Sequence, residues 1–482
     1  MDRILELCRH GIDATILNQG SALLLGSIIT YLVLGKLTRI RSTRNLRVLL
    51  LLLSSVFLID LVKWEFRGDT PWAATGLLFA FRGLQGALLL ITVTSLILSF
   101  RRPDDTPSNL PTSALRILAI LLITMNVITT LGRDPDDCGI YSNLGAQRWH
   151  ETGQLPYSDE SLKGPESPGH GAAATYGPLL YIAHIPVQIA LGSKKNDPTI
   201  PVSDHDLYER PNQTATQITA LLFHFMGLIA LFMIGRRCRG TATRWALIVA
   251  YAGCPYVLGL GGEAEWLGGP DAFACGVSYI SHTAPISLIL MALAFDRRPA
   301  LSGGLLAAAA GILYFPAFLF PAFMGWFWKR GEGLRFVAGF ALVAVLTTGI
   351  VLNWTAGDSV TDRVEAFFHS TLDHQEGAEV DQYGDSLYSF WGQHKGLASF
   401  WKKPIVGGSQ LLSPTFLLLT GLSLLAFFLA RGKSLGQLAF LLASVTAAIQ
   451  LWKTHAAGTY VEWYYPLLLI GFLCPNLMDS DD

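Results

Sequence analysis

Three aspartates stand close together in a polar stretch between two apolar regions: Asp134, Asp136 and Asp137. Tyr141 follows Asp137 by four residues, so on a helix the two side chains lie about one turn apart on the same side. A carboxylate at the mouth of a membrane cavity is partly desolvated, which raises its basicity, and it can then take a proton from a hydroxyl nucleophile. The simpler interpretation is that the acids cap the helix beginning near Gly139, because Asp is a preferred N-cap residue. On the residues alone, both interpretations stay open.

Other polar residues are candidates for binding a substrate. His282 falls in an apolar run, where an ionisable group costs about 2.5–3.5 kcal/mol and suggests function, although a neutral core histidine fits equally well. His455 and Glu462 flank a group of aromatic residues, which an interfacial aromatic belt also explains. Arg148 can reach a lipid phosphate, or it can pair with Glu151 three residues further on.

The composition indicates an all-α, polytopic membrane protein. The chain of 482 residues is 51% apolar and only 15% charged, and its mean hydropathy is +0.40. Soluble domains carry about 25% charged residues, and the repeated apolar runs here approach the roughly 20 residues that cross a bilayer. The net charge of −1, with no basic stripe and interleaved aromatic residues, excludes nucleic acid as a partner.

The cysteines and acids do not form a recognisable metal or redox motif. The six cysteines are scattered without CxxC or CxH spacing, so we expect neither a metal knuckle nor a disulfide framework. Asp134-Pro135-Asp136 has the form of an acid-x-acid motif, but no second acidic cluster is placed to complete a site. We therefore expect no bound metal, and without a Walker-type loop we expect no cofactor.

Apolar segments separated by charged loops predict about eleven transmembrane spans. The predicted spans are Thr15–Gly35, Val48–Val62, Ala73–Phe100, Leu115–Leu131, Thr216–Gly235, Trp245–Gly262, Ala274–Phe295, Phe336–Asn353, Leu411–Ala430, Leu435–Lys453 and Tyr460–Leu473. Two further apolar stretches, Tyr176–Leu191 and Leu301–Trp328, are too short or too broken by proline to cross fully. We expect both to be re-entrant, with Leu301–Trp328 forming two half-length helices.

The distribution of basic residues predicts the orientation. Clusters such as Lys36–Arg47, Arg236–Arg244, Arg297–Arg298, Lys329–Arg335 and Arg431–Lys433 fall on one side if the two re-entrant segments do not cross. Because Lys and Arg concentrate on the cytoplasmic side, the N-terminus is then external and the C-terminus cytoplasmic. The long loops 132–215 and 355–410 are external, and we expect the second to fold over the mouth of the cavity as a lid.

The first external loop resembles that of the GT-C membrane glycosyltransferases, particularly the branch that uses polyprenyl-phosphate-linked mannose or related sugars. The resemblance rests on an acid just after a span, then Tyr141, Gly145-Ala146, Gly153, Pro156-Tyr157 and Tyr176-Gly177-Pro178-Leu179-Leu180. It implies a GT-C-like core over residues 113–482, preceded by three additional transmembrane helices in residues 1–112.

The resemblance also implies a reaction, namely inverting transfer of a hexose such as mannose from a polyprenyl phosphate to an acceptor hydroxyl. The acceptor would be a lipid, glycan or protein outside the cytoplasm, in the plasma or inner membrane. Asp137 matches the position of the catalytic base, with Asp136 as the second choice. Tyr141, Arg148, Tyr176, His282, His455 and Glu462 are the predicted substrate-binding residues. A secondary transporter and a non-catalytic membrane protein of the same fold are the alternatives.

Overall fold

The computed structural model describes residues 19–35, 45, 48, 86, 88–100, 109–132, 135, 137–158, 173–191, 210–238, 240–258, 276–373, 414–452 and 460–474. In these residues the chain is helical, and the only β-type pairing is an isolated bridge between Leu155 and Thr355. The predicted all-α class is therefore confirmed for this part of the chain. The predicted span Val48–Val62 after its first residue, and the first half of the predicted span Ala73–Phe100, lie outside the described residues.

Sixteen helices of the described residues are numbered here in chain order. They are α1 Gln19–Leu34, α2 Leu88–Phe100, α3 Thr112–Gly132, α4 Asp137–Thr152, α5 Pro178–Leu191, α6 Arg210–Arg237, α7 Thr241–Ala252, α8 Pro255–Leu258, α9 Ile280–Ala294, α10 Pro299–Ile312, α11 Phe320–Lys329, α12 Gly333–Trp354, α13 Val360–Phe368, α14 Pro414–Leu429, α15 Leu435–Trp452 and α16 Val461–Leu473.

Three of these helices are long and apolar enough to cross a membrane: α3, the Asn212–Arg237 part of α6, and α12. Their exposed surfaces carry large apolar side chains, as expected for helices that face lipid. Examples are Ile117, Ile120, Leu121, Leu342, Val345 and Leu346. Seven other apolar helices are shorter, with 10–17 residues. The total of eleven spans and the GT-C-like arrangement remain predictions.

The predicted span Trp245–Gly262 is not one continuous helix. α7 ends at Ala252, and the amide of Gly253 donates a hydrogen bond to the carbonyl of Val249. Pro255 begins the separate short helix α8, because a proline ring cannot continue the preceding helix.

The Leu301–Trp328 stretch forms a hairpin of two helices, as its prolines predict. α10 ends at Ile312, a short 3-10 turn follows over Phe315–Leu319, and α11 returns over ten residues. Both helices pack against the start of α12. Ala300 of α10 lies so close to Gly339 that a Cβ added to this glycine would be 1.9 Å from the Ala300 carbonyl oxygen. Phe327 of α11 stacks on Phe336. The chain therefore enters and leaves this hairpin at the same end of the bundle.

That end, which we call the basic end, gathers the basic residues that flank α6, α9, α11 and α14. Arg237 forms a bidentate ion pair with Asp296, and the indole nitrogen of Trp326 donates to the Lys433 carbonyl at 2.8 Å. A disulfide joins Cys238 to Cys474, so the end of α16 lies here as well. We predicted no disulfide framework, and this single disulfide was not predicted, because a sequence separation of 236 residues leaves no spacing signal.

Candidate functional site

The opposite end of the bundle, the site end, holds the start of α4. Asp137 is the first residue of this helix, although its side chain, like all of Asp134, Asp136 and His455, lies outside the described residues. The next residue, Cys138, has its sulfur 3.0 Å from the hydroxyl oxygen of Ser281, the second residue of α9. The residue that follows the predicted base therefore contacts the start of α9 directly.

A glycine allows this close approach. A Cβ added to Gly139 would lie 2.5 Å from the methyl carbon of Thr216 on α6 and 3.2 Å from the Ser278 carbonyl oxygen. Any larger residue would push the first turn of α4 away from α6 and α9. Close packing against α6 and α9 therefore explains why this position is a glycine, whatever the role of the aspartates before it.

His282 is buried in a group of rings that we call the aromatic cluster: Tyr279, His282, Phe315, Tyr460 and Trp463. The His282 ring centroid is 4.1 Å from that of Tyr279 and 4.5 Å from that of Tyr460. Trp463 is stacked between Tyr460 at 4.3 Å and Phe315 at 4.1 Å. Phe315 comes from the tip of the hairpin, and Tyr460 caps α16.

The starts of three helices thus meet at the site end. Cys138 of α4 contacts Ser281 of α9, and the neighbouring His282 contacts Tyr460 and Trp463 at the start of α16. Helix N-termini present unsatisfied N–H groups and a partial positive charge, and both favour an anion nearby. Electrostatically, this end of the bundle suits a phosphate group.

The Tyr-Gly-Pro element rests on the tip of the hairpin. The amide of Gly177 donates to the Ile312 carbonyl at 2.9 Å, and the carbonyl of Tyr176 accepts a 2.9 Å bond from the Tyr157 hydroxyl. Burial, followed by the electrostatic effect of Tyr181, raises the pKa of Tyr157 well above its ordinary value, so its hydroxyl stays a donor. The bond between Tyr157 and Tyr176 therefore joins two parts of the first loop, and the bond from Gly177 to Ile312 holds them on the hairpin.

Helices α4 and α5 are joined by polar contacts that the sequence analysis missed. The Ser142 hydroxyl lies 3.0 Å from Nε2 of His184, and Nε2 of Gln188 donates to the Asn143 carbonyl at 2.9 Å. Gly145 fits beneath the ring of Tyr181, where a Cβ would approach to 2.5 Å. Tyr181, His184 and Gln188 recur at helical spacing on one face of an apolar helix, and this pattern is the signal that would have found them.

Two predicted substrate-binding residues lie on α4. Tyr141 is partly buried one turn after Asp137, whereas Arg148 is 11 residues from Asp137, or about 16 Å along the helix axis. Only 2% of the Arg148 side chain is exposed, and its Nη1 lies 3.9 Å from a carboxylate oxygen of Glu151. The pairing that the spacing suggested is thus observed, and Arg148 is not brought to the start of α4.

Glu462 lies in sequence between two members of the aromatic cluster, Tyr460 and Trp463. It is the second residue of α16 and is 3% exposed, and its carboxylate interacts electrostatically with Tyr251 of α7. Its neighbour Trp463 contacts His282. The structure therefore brings Glu462 next to the aromatic cluster and to Tyr251.

The second long loop begins by packing on the first. The amide of Leu155 donates to the Trp354 carbonyl at 2.6 Å, and the hydroxyl of Ser370 donates to the Tyr157 carbonyl at 2.7 Å. Phe367 of α13 packs edge-on against Tyr157 at 5.0 Å. The start of the predicted lid thus touches the first loop, while residues 374–413 lie outside the described part.

Comparison with known proteins gives no relative, since no family model, curated protein or solved structure matches this chain. Within the described residues, no group of three or more His, Cys, Asp or Glu side chains could hold a metal ion.

Proposed function

We propose that this protein is a membrane glycosyltransferase with a GT-C-like fold. It transfers a hexose such as mannose from a polyprenyl-phosphate donor to a hydroxyl of a lipid, glycan or protein acceptor, with inversion at the anomeric carbon. The observation that carries the proposal is the 3.0 Å contact between Cys138 and Ser281, because it brings the aspartate that begins α4 beside the start of α9 and His282.

The reaction uses the two sides of this contact differently. The Asp137 carboxylate takes the proton from the acceptor hydroxyl while the acceptor oxygen bonds to the anomeric carbon. The bond from that carbon to the phosphate oxygen breaks, and the electron pair leaves with polyprenyl phosphate. The starts of α4, α9 and α16, together with His282, stabilise the charge that develops on the phosphate. The surrounding aromatic rings exclude water, which strengthens this interaction.

The basic end supports an extracytoplasmic site. Arg237, Arg298, Arg330 and Lys433 lie at the end of the bundle opposite the aromatic cluster, and the positive-inside rule assigns such an end to the cytoplasm. The site end, the N-terminus and both long loops are then outside, and the C-terminus is cytoplasmic. Membrane lipids surround the bundle, and the donor reaches the site from the bilayer.

The test replaces each aspartate of the cluster in turn. Asp137→Asn keeps the shape of the side chain but removes the proton acceptor, so transfer should fall by about 10²–10⁴ while the melting temperature is unchanged. Asp134→Asn and Asp136→Asn are the matched controls, and each should keep both the rate of transfer and the melting temperature near those of the wild type, because asparagine caps a helix start about as well as aspartate. If Asp137→Asn keeps full activity and Asp136→Asn is folded but inactive, the base is Asp136. Full activity in both variants would refute the mechanism.

A secondary transporter is the second candidate, and the ionisable residues inside the bundle favour it. Glu462 and His224 are both buried among apolar helices, where transporters place proton and ion sites. Purified protein in sealed vesicles distinguishes the two functions. A transporter moves an unchanged solute into the vesicles, whereas a glycosyltransferase changes the donor chemically. If neither activity appears, the protein is a non-catalytic member of the fold.

A further inference from the structure

A carboxylate without a visible counter-charge lies inside the bundle. Glu462 is 3% exposed, and in the part of the chain that the structure describes neither of its carboxylate oxygens has a hydrogen-bond partner. No Lys or Arg of those residues lies within ion-pair distance of it, since the ion pairs found there are Arg148–Glu151 and Arg237–Asp296. Glu462 therefore differs from the buried Asp296, which has its own arginine.

The groups next to Glu462 form a polar column that leads into the middle of the bundle. The carboxylate interacts with Tyr251, and the ring of His224 stacks on the Tyr251 ring at 5.7 Å. Nε2 of His224 lies 3.3 Å from Nδ2 of Asn126, and both residues are fully buried. Tyr251, His224 and Asn126 come from α7, α6 and α3, so the column crosses the core between three helices.

Among the described residues, the helices packed against α16 bring no Lys or Arg within ion-pair distance of Glu462. The polar contacts around the start of α16 come from an amide, an imidazole and a phenol. Nε2 of Gln450 on α15 donates to the Tyr460 carbonyl at 2.7 Å, and the His282 ring on α9 contacts Tyr460 and Trp463. The Tyr465 hydroxyl donates to the Ala250 carbonyl at 3.2 Å, and the Cys254 thiol interacts electrostatically with Tyr251.

An ionised carboxylate in such surroundings is unfavourable, because among the described residues no full counter-charge and no hydrogen-bond donor replaces the lost hydration. The partial positive charge at the start of α16 offsets only part of this cost. The neutral acid avoids this cost and can donate a hydrogen bond to its surroundings. A metal cation is a poor alternative, because hard cations take several oxygen ligands and the described residues bring one carboxylate here.

We propose that Glu462 is a proton-binding site inside the bundle, held in its protonated form, with Tyr251 as its polar neighbour and His224 stacked on Tyr251. The ligand is a proton, which binds to and leaves a carboxylate oxygen without any transfer of electrons. The site is separate from the proposed sugar transfer, because it rests on the burial of Glu462 and on the column, and not on Asp137.

The test is chemical labelling of the full-length protein in membrane vesicles with dicyclohexylcarbodiimide, an apolar reagent that adds to protonated carboxyl groups. A solvated glutamate with the ordinary pKa of about 4.3 is neutral in about one molecule in five hundred at pH 7. Exposed Glu365 is the internal control. Mass spectrometry should show labelling of Glu462 at least tenfold above that of Glu365.

Two further measurements show whether the label is on Glu462 and whether the carboxylate is shielded from water. Glu462→Gln should lose the label from this peptide, and its melting temperature should match that of the wild type because a neutral side chain replaces a neutral acid. The wild-type protein alone decides the main question if that variant does not fold. Labelling of Glu462 no stronger than that of Glu365, or modification by a water-soluble carbodiimide instead, would show an ionised or solvent-facing carboxylate and overturn the proposal.

Discussion

Replacing Gly177 with alanine tests how the first loop is held on the hairpin. A Cβ at this position would lie 2.1 Å from the carbonyl oxygen of Gly311, 2.7 Å from its carbonyl carbon and 3.0 Å from the Ile312 carbonyl oxygen. All three atoms belong to the backbone and cannot rotate away. The loop must therefore move off the hairpin, and the 2.9 Å bond from the Gly177 amide to Ile312 is lost with it.

The expected loss of stability follows from these two effects. Overpacking costs about 1–3 kcal/mol, and an unmade buried hydrogen bond costs about 1–3 kcal/mol, so Gly177→Ala should destabilise the protein by about 2–6 kcal/mol. Thermal unfolding of the purified protein in detergent measures the change. Gly349→Ala is the control, because an added Cβ meets nothing within 4 Å there, and alanine in a helix gains about 0.5–1 kcal/mol. An unchanged melting temperature in Gly177→Ala would refute the docking of this loop on the hairpin.

Two further predictions concern the basic end. Arg237→Ala leaves the carboxylate of Asp296 buried at 3% exposure without its partner and should cost about 3–5 kcal/mol, and the double variant with Asp296→Asn should recover most of the loss in melting temperature. Cys238→Ser removes a cross-link between α6 and α16 and should cost about 2–4 kcal/mol in thermal unfolding. The basic residues assign this end of the bundle to the cytoplasm, so a membrane-impermeant maleimide should reach Cys238 and Cys474 from the cytoplasmic side only, once the disulfide is reduced. The disulfide itself points the other way, because disulfides persist in oxidising compartments. Labelling from the outside would reverse the proposed orientation.

Local sequence signals predicted the local features of the fold. Pro316 and Pro321 divide the hairpin where proline must interrupt a helix, and Asp137 begins α4 as its acidic neighbourhood indicates. The boundary after Ala252 was missed, although Gly253 and Pro255 signalled it. Helix ends of this kind depend on residues next to each other in the chain, so they can be predicted from the sequence.

The contacts between distant segments could not be predicted in this way. Nothing in the sequence joins Cys238 to Cys474 or Ser142 to His184, because these contacts depend on how helices pack in three dimensions. Glu462 shows the same limit. Its sequence position among aromatic residues suggested a substrate contact, which stays a prediction, but gave no sign of the electrostatic interaction between its carboxylate and Tyr251. A side chain's direction around a helix depends on which neighbours surround that helix, and spacing alone does not supply them.

The central claim is that the site end transfers a sugar from a lipid phosphate with inversion. The most direct measurement supplies the purified protein with polyprenyl-phosphate mannose and a panel of lipid, glycan and peptide acceptors. The released polyprenyl phosphate is quantified, and the anomeric configuration of the product is read by NMR. We predict one polyprenyl phosphate released for each sugar transferred, and a product of inverted configuration. A product of retained configuration, or no release of polyprenyl phosphate by folded protein with any acceptor, would contradict the claim.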